Sequence, residues 1–118
     1  MVHFDTGKSV LVTYARDSLR SIADEMRNLF KAAEGVGEGV DVEIVGHTDE
    51  LGSAESNDQL GLDRAVAVKS AVVSLGVDGH RLDAKTVGSR EPLQVGADGS
   101  VQAENRSVSF RVRSRSAK

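Results

Sequence analysis

The feature that most constrains the fold is a change of hydrophobic period along the chain. Between residues 16 and 33 the apolar side chains recur every three or four positions, which is the period of an amphipathic helix. Residues 40–46 alternate between apolar and acidic side chains, which is typical of a half-buried strand. Residues 58–75 return to the helical period, with Asn57 as the expected N-cap and Gly76 as the stop. This succession favours a layered α/β fold.

Shorter segments complete the sheet on which these helices would pack. Residues 2–4 and 82–87 have the composition of strands, and residues 106–112 alternate between apolar and polar side chains. The side chains of the last strand that are expected to face the core are Val108, Phe110 and Val112. We therefore predict an α/β (α+β) two-layer sandwich in the order β-α-β-α-β-β, with a mixed sheet of about four strands and both main helices on one face. Within it, residues 40–87 would form a βαβ unit that permits parallel strands.

The length of the chain fits a single domain. A chain of 118 residues has the length of one typical domain and can bury one hydrophobic core. We predict one domain over residues 1–118, with its core at about 2–112 and a flexible tail at 113–118. Because Met1 could be an added start, the domain is expected to be excised from a larger protein.

The composition excludes several classes of protein. No cysteine is present, so disulfides, thiol catalysis and cysteine-type zinc sites are ruled out. The net charge of −3 argues against binding to nucleic acid by bulk charge. No apolar run approaches the roughly 18 residues that a membrane-spanning helix needs, so no direct insertion of this segment into a membrane is expected.

Two opposite charges are predicted to meet at one rim of the sheet. Asp49 lies in a polar segment, residues 47–57, that follows the second strand, and Arg64 lies on the helix to which this segment leads. A helical side chain leans toward the N-terminus of its helix, which brings Arg64 back toward Asp49. One interpretation is a salt bridge that fastens the segment to the helix. The other is a binding site for a zwitterion, in which Asp49 receives an ammonium group and Arg64 a carboxylate.

The sequence contains only weak matches to known catalytic arrangements of residues. His47 and Asp49 could form half of a metal site that His80 could join, but a catalytic metal usually needs three protein ligands. The serines of the polar segment lack the pattern of a nucleophile elbow, and the glycines do not form a phosphate-binding loop. We therefore expect no enzymatic activity, no cofactor and no bound metal, with a metal-assisted hydrolase as an alternative.

A spaced motif covers the segment around these charges. It runs Gly46-His47-Thr48-Asp49, Gly52-Ser53, Asn57, Leu60 and Arg64-Ala65. The motif resembles the signature of the OmpA-like C-terminal domain family. Matches outside the motif are Phe4 with Ser9, Gly88 with Pro92, and Asn105-Arg106 followed by Val108. The resemblance extends over about residues 2–112, nearly the whole chain.

The resemblance implies a non-enzymatic domain that binds peptidoglycan in the envelope of Gram-negative bacteria. Such a domain would lie in the periplasm, tethered through its parent envelope protein to the outer or inner membrane. Its ligand would be the diaminopimelate residue of the peptide stem, with Asp49 on the ammonium group and Arg64 on the carboxylate. By the same resemblance, Thr48, Gly52, Asn57 and Leu60 would shape the pocket, and Arg106 and Asp5 would add contacts at its rim.

Three positions depart from the family's pattern. Gly61 stands where the family usually has serine, Ser107 where it has a second arginine, and Ser56 where a bulkier residue is common. Loss of the hydroxyl at Gly61 is expected to loosen the first turn of the second helix. These departures motivate an alternative function, in which the domain is a protein-interaction or homodimerisation module that keeps the fold and has lost its affinity for the wall.

Overall fold

Four strands and two long helices alternate along the part of the chain that the structure describes. This part, in the computed structural model, is residues 2–3, 13–37, 39–48, 53–88 and 107–114. The elements, in chain order, are β1 (Val2–His3), α1 (Thr13–Gly35), β2 (Val40–His47), α2 (Ala54–Ser74), β3 (Leu82–Gly88) and β4 (Ser107–Ser114), with a 3₁₀ turn over Gly79–Arg81. This order confirms the predicted succession of strands and helices.

The strands form one mixed sheet in the order β1-β4-β2-β3. β2 and β3 run parallel, with Val42 opposite Leu82, and α2 connects them. β4 runs antiparallel to β2 on its other side, with Ile44 opposite Phe110, and β1 pairs antiparallel with the start of β4. The mixed sheet and the parallel βαβ unit are therefore confirmed, and β2 has a neighbour on each side.

Both helices contribute to one hydrophobic core. Its buried members are Leu19, Ala23, Met26, Phe30 and Ala33 of α1, Val40, Val42 and Ile44 of β2, Ala65, Val68 and Val72 of α2, together with Val77, Leu82 and Val108. The residues from α1 recur at helical spacing and those from β2 alternate, so each element turns one apolar face to the core. The predicted packing of both helices on one face is confirmed. Within the described residues, neither helix has an apolar stretch of the length that crosses a membrane.

Helix α2 begins earlier than the sequence pattern indicates. The pattern places its start at residue 58 with Asn57 as the cap, whereas the helix begins at Ala54. Ser53 is the N-cap, and its side-chain oxygen accepts a hydrogen bond from the backbone N–H of Ser56 at 3.1 Å. The prediction was wrong because the first turn consists mainly of polar residues and is fixed by this cap rather than by an apolar stripe. Asn57 therefore lies inside the helix and is buried.

Helix α2 crosses β2 with the two backbones in direct contact. A Cβ atom on Gly46 would lie 1.8 Å from the carbonyl oxygen of Gly61, and one on Gly61 would lie 2.3 Å from Oγ1 of Thr86. No side chain fits at Gly46, because its neighbour is backbone. Gly61 lies well inside α2, which starts at Ala54, so the expectation that it loosens the first turn is wrong. Its missing side chain instead permits the close packing.

The outer half of β4 lies beside an open groove. Val108 is fully buried, and Val112, opposite the core residue Val42, lies on the predicted face but is 59% exposed instead of buried in the core. A cavity of about 240 Å³ lies over this end of the strand, and we call it the α1–β4 groove. Besides Val112, its lining residues are Ile22, Glu25, Met26, Leu29, Val42 and Phe110. β4 continues past the predicted end of the core to Ser114, and residues 115–118 of the predicted tail lie outside the described residues.

The sheet face opposite the helices carries ion pairs. The carboxylate of Glu43 on β2 accepts hydrogen bonds from the Lys85 ammonium on β3 and, at 3.0 Å, from Nη1 of Arg113 on β4. Lys85, and to a smaller extent Arg113, hold the pKa of Glu43 below its usual range although partial burial opposes this shift. Glu43 therefore ties β2 to both of its neighbours.

Gly46→Ala is expected to lower the free energy of unfolding by about 3 kcal/mol, because the new methyl group must push α2 away from β2. Chemical denaturation followed by circular dichroism measures this loss. The matched control is Gly35→Ala, where a Cβ atom meets nothing within 4 Å. Equal stability of the two variants would contradict the close contact.

Glu43→Gln is expected to flatten the dependence of stability on acid pH. The folded-state pKa of Glu43 is lowered, so its stabilising contribution is present above the ordinary pKa of 4.5 and is lost as the pH falls through the folded-state pKa. Between neutral pH and the acid side of that pKa, the variant should therefore lose less stability than the wild type. Denaturation at a series of pH values tests this, with Glu25→Gln, at an exposed glutamate of α1, as the control. Identical profiles for Glu43→Gln and the wild type would refute it.

Candidate binding site

The candidate site lies where β2 ends and α2 begins. The backbone N–H of Thr48, just beyond β2, donates a hydrogen bond to the carbonyl of Gly88 at the end of β3, at 2.9 Å. Gly88 has a φ of +54°, and a Cβ atom there would lie 2.6 Å from Oδ1 of Asp58 on α2. The C-terminal ends of two parallel strands and the beginning of α2 therefore converge. In open α/β sheets this is the edge at which ligands bind.

Arg64 reaches the site from α2, and its side chain is fully buried. Its Nη1 donates a hydrogen bond to the backbone carbonyl of His47 at 3.1 Å. The side chain thus extends toward the end of β2, as helical geometry predicts. Removing a guanidinium from water is costly unless the protein pairs its donors, so a buried arginine at a strand end indicates a role for its charge.

Part of the predicted site lies outside the described residues. The predicted site residues in this group are Asp5, Asp49, Gly52 and Arg106. The carbonyl that Arg64 binds belongs to His47, which is separated from Asp49 in sequence only by Thr48. Arg64 therefore reaches the point at which β2 leads into the segment containing Asp49. The pairing of these two charges stays a prediction.

Three further predicted site residues lie close to Arg64 in the fold. Thr48 follows His47 directly, and Asn57 and Leu60 precede Arg64 on α2 at spacings that put all three on one side of the helix. Thr48 and Asn57 are buried, and Leu60 is half-buried. The hydroxyl oxygen of Thr48 has no hydrogen-bond partner among the residues described. Because buried polar groups are rarely left without a partner, this hydroxyl is a natural contact for a ligand.

His47 is a buried histidine that joins β2 to β4. Its Nε2 lies 2.7 Å from Oγ of Ser109. Sequence analysis missed this contact, because alternation assigns Ser109 to the outer face of β4 without showing what it meets there. The alternation of β2 places His47 on the same face as Glu43 and Val45. The pairing of Val45 with Ser109, which brings the serine near His47, is set by the strand register and is visible only in the structure.

His80 does not join His47. It lies in the 3₁₀ turn before β3, at the other end of that strand from Gly88, and its Nδ1 lies 3.2 Å from Oδ1 of Asp78. The expectation that His80 could join a metal site with His47 is wrong, because the length of β3, about 20 Å, separates them. Within the described part of the chain, no three His, Cys, Asp or Glu side chains come together as metal ligands.

Known proteins are similar to this chain in sequence and in fold. A family model described as the OmpA family matches residues 3–106. A peptidoglycan-associated lipoprotein of Rhizobium meliloti (strain 1021) is 33% identical over 97 residues, covering 80% of this chain and 55% of that protein. The probable lipoprotein YiaD of Escherichia coli (strain K12) is 28% identical over 107 residues, covering 91% of this chain and 45% of that protein. The crystal structure of the peptidoglycan-associated lipoprotein from Burkholderia pseudomallei superposes with a TM-score of 0.80 at 28% identity, covering 95% of this chain and 88% of that chain.

These matches include the candidate site. The region matched by the family model, residues 3–106, contains α1, β2, α2 and β3, and with them Thr48, Asn57 and Arg64. The chain spans about half the length of these two curated relatives. The similarity is therefore confined to one region of these longer proteins.

Thr48→Val is expected to leave the free energy of unfolding unchanged or to raise it by up to about 1 kcal/mol, because it removes a buried hydroxyl that has no partner among the described residues. Ser109→Ala is the comparison, since it breaks the contact with His47 and should cost about 1 kcal/mol. Urea unfolding ranks the two variants. A Thr48→Val protein less stable than Ser109→Ala would show that the hydroxyl is bonded in the folded chain.

Proposed function

The chain belongs to the OmpA family, and on this premise we propose that it is a non-catalytic domain that binds peptidoglycan and so anchors an envelope protein to the cell wall. Proteins named peptidoglycan-associated lipoprotein match it in sequence and in structure. The match runs through the candidate site rather than through the core alone. Retention at the wall would rest on non-covalent contacts at the end of β2.

The buried guanidinium of Arg64 is the observation that carries the proposal. A planar guanidinium pairs with a carboxylate through two parallel hydrogen bonds, which adds direction to charge attraction. The free end of a diaminopimelate residue carries a carboxylate and an ammonium group. In the proposed complex Arg64 binds the carboxylate and Asp49 the ammonium group, so the ligand is the diaminopimelate residue of the peptide stem.

The other site residues would shape the pocket around this pair. The Thr48 hydroxyl would bond to the ligand, because it has no other partner among the described residues. Asn57 would add an amide, and Leu60 an apolar wall, from the same side of α2 as Arg64. The proposed pocket is completed by Gly52, with rim contacts from Arg106 and Asp5.

The domain would act as one part of a longer protein. We propose that residues 1–118 are a single domain of an envelope protein that holds it in the periplasm and is tethered to the outer or inner membrane. The support is that the two relatives named above are called lipoproteins and are about twice as long as the matched region. The tether would then confine the domain within reach of the wall.

The position of Gly61 weakens the alternative of an interaction module that has lost its wall affinity. That alternative depends partly on the missing hydroxyl at this position. Gly61 is buried against Gly46 and Thr86, where a side chain would not fit without displacement. The glycine at this position therefore serves the packing of α2 against β2.

Co-sedimentation with purified sacculi that contain diaminopimelate tests the proposed function. The wild type is expected to pellet with the sacculi. Asp49→Ala and Arg64→Ala are each expected to lose on the order of 2–5 kcal/mol of binding, because one charge of the ligand is left unpaired. Arg64→Lys keeps the charge without the planar fork and should bind with intermediate strength.

Two controls separate loss of binding from loss of fold. Arg20→Ala removes an exposed arginine of α1 and should pellet like the wild type. Because Arg64 is buried, its replacement could unfold the domain, so circular dichroism must show that each variant is folded. Asp49→Ala tests the loss of binding without replacing Arg64. A folded wild type that stays in the supernatant would overturn the proposal. Equal binding to sacculi whose stems carry lysine, which lacks the second carboxylate, would leave wall binding intact and refute the diaminopimelate contact.

A further inference from the structure

Strand β3 contains an extra residue at the end that meets the candidate site. In the parallel pairing of β2 with β3, Gly46 lies opposite Thr86 and His47 lies opposite Gly88, so the register skips Val87. This irregularity is a β-bulge, and we call Thr86, Val87 and Gly88 the β3 bulge. Bulges bend a strand and are common beside binding sites, where they redirect the groups that follow them.

The side chain of Thr86 fastens the turn at the end of the β3 bulge. Its Oγ1 accepts a hydrogen bond from the backbone N–H of Gly88 at 3.1 Å. Gly88 is buried and adopts a φ of +54°, the left-handed conformation that turns the chain away from a regular strand. The hydroxyl of Thr86 therefore stabilises this turn from within the same strand.

The turn at Gly88 in its place fixes the backbone of Thr48. The carbonyl of Gly88 accepts a hydrogen bond from the N–H of Thr48 at 2.9 Å. Thr48 carries the buried hydroxyl that we propose as a ligand contact, and it directly precedes Asp49 in the sequence. Two hydrogen bonds in series therefore connect the Thr86 hydroxyl to the point at which β2 leads into the segment containing Asp49.

The β3 bulge also contacts the helix that supplies the rest of the site. A Cβ atom on Gly88 would lie 2.6 Å from Oδ1 of Asp58 and 3.5 Å from the carbonyl carbon of Asn57, both on α2. Asn57 is a buried residue of the proposed pocket. The bulge thus lies between the two sides of the site, with Thr48 on one side and Asn57 on the other.

Thr86 itself lies where α2 crosses the sheet. It is half-buried, it pairs with Gly46 of β2, and its Oγ1 would be 2.3 Å from a Cβ atom on Gly61. The absent side chain at Gly61 therefore leaves the space that the hydroxyl occupies. A valine at position 86 would keep the branched shape and lose the hydrogen bond, whereas a serine would keep the hydroxyl and lose the methyl group.

We propose that Thr86 is a positioning residue of the candidate site, whose hydroxyl holds the β3 bulge in the conformation that places Thr48 for contact with the wall ligand. The inference rests on the proposed function and adds how the site is held in shape. Thr86 acts through Gly88 and does not touch the ligand. Without its hydrogen bond the turn relaxes, and part of the binding free energy is lost in ordering Thr48.

Binding of Thr86→Val and Thr86→Ser to sacculi that contain diaminopimelate tests the proposal. Thr86→Val is expected to raise the half-saturating concentration of sacculi about three- to tenfold, because the site must be ordered on binding. Thr86→Ser should rescue binding to within about twofold of the wild type. Ser70→Ala removes an exposed hydroxyl of α2 and is the matched control, which should bind like the wild type.

Amide hydrogen exchange separates positioning from a general loss of stability. In Thr86→Val the amides of Gly88 and Thr48 are expected to exchange faster than in the wild type and in Thr86→Ser. The amide of Ile44, in the middle of β2, should exchange at an unchanged rate. The binding and exchange measurements are made below the unfolding temperature of each variant, as circular dichroism determines it.

The outcomes distinguish this proposal from the proposed function. A folded wild type that does not bind sacculi would overturn both. Wild-type binding that Thr86→Val leaves unchanged would overturn the positioning role and leave wall binding intact. Equal weakening by Thr86→Val and Thr86→Ser would assign the effect to packing rather than to the hydroxyl. Faster exchange throughout β2 in Thr86→Val would assign it to a loosened fold, and either result would also overturn the positioning role.

Discussion

The backbone contact between Gly46 and Gly61 determines the geometry of the candidate site. It holds α2 against β2 one residue before His47 and one helical turn before Arg64. From that position the Arg64 side chain extends back along the helix and meets the His47 carbonyl at 3.1 Å. A side chain at Gly46 would displace the helix and carry the guanidinium away from the end of the strand. The close crossing of helix and strand is therefore what makes a buried charge possible here.

Hydrophobic periods predict most of the elements because they record which faces are buried. α1, β2, β3 and β4 are found in this way to within a few residues of their ends. The start of α2 is not found, since its first turn is mainly polar and depends on the cap at Ser53. The contact of Gly46 with Gly61 is equally hidden, because glycine in a sequence indicates a turn as readily as close packing. Val112 has the alternation of a core residue, yet an open groove lies over its end of β4.

At the candidate site, too, local sequence patterns predict some features, whereas contacts between residues far apart in the chain are not predicted. Helical geometry predicts the direction of Arg64, and the spaced motif indicates that Thr48, Asn57 and Leu60 belong with it. Neither predicts that Arg64 binds a backbone carbonyl, which depends on how closely α2 approaches β2. The contact of His47 with Ser109 spans 62 residues and depends on the register of β4 against β2, which a local pattern does not contain.

The strand pairings of the sheet differ in how they respond to mechanical force. β2 is hydrogen-bonded along its length to β3 on one side and to β4 on the other, whereas β1 meets β4 at Val2 and His3. Tension applied along β2 from its C-terminal end loads both ladders in shear, so that their bonds share the force and must yield together. Tension applied to β1 across the sheet opens the two described pairs, at Val2 and His3, one after the other. A load on the candidate site, at the end of β2, is therefore resisted by the ladders of β2 with β3 and β4 together.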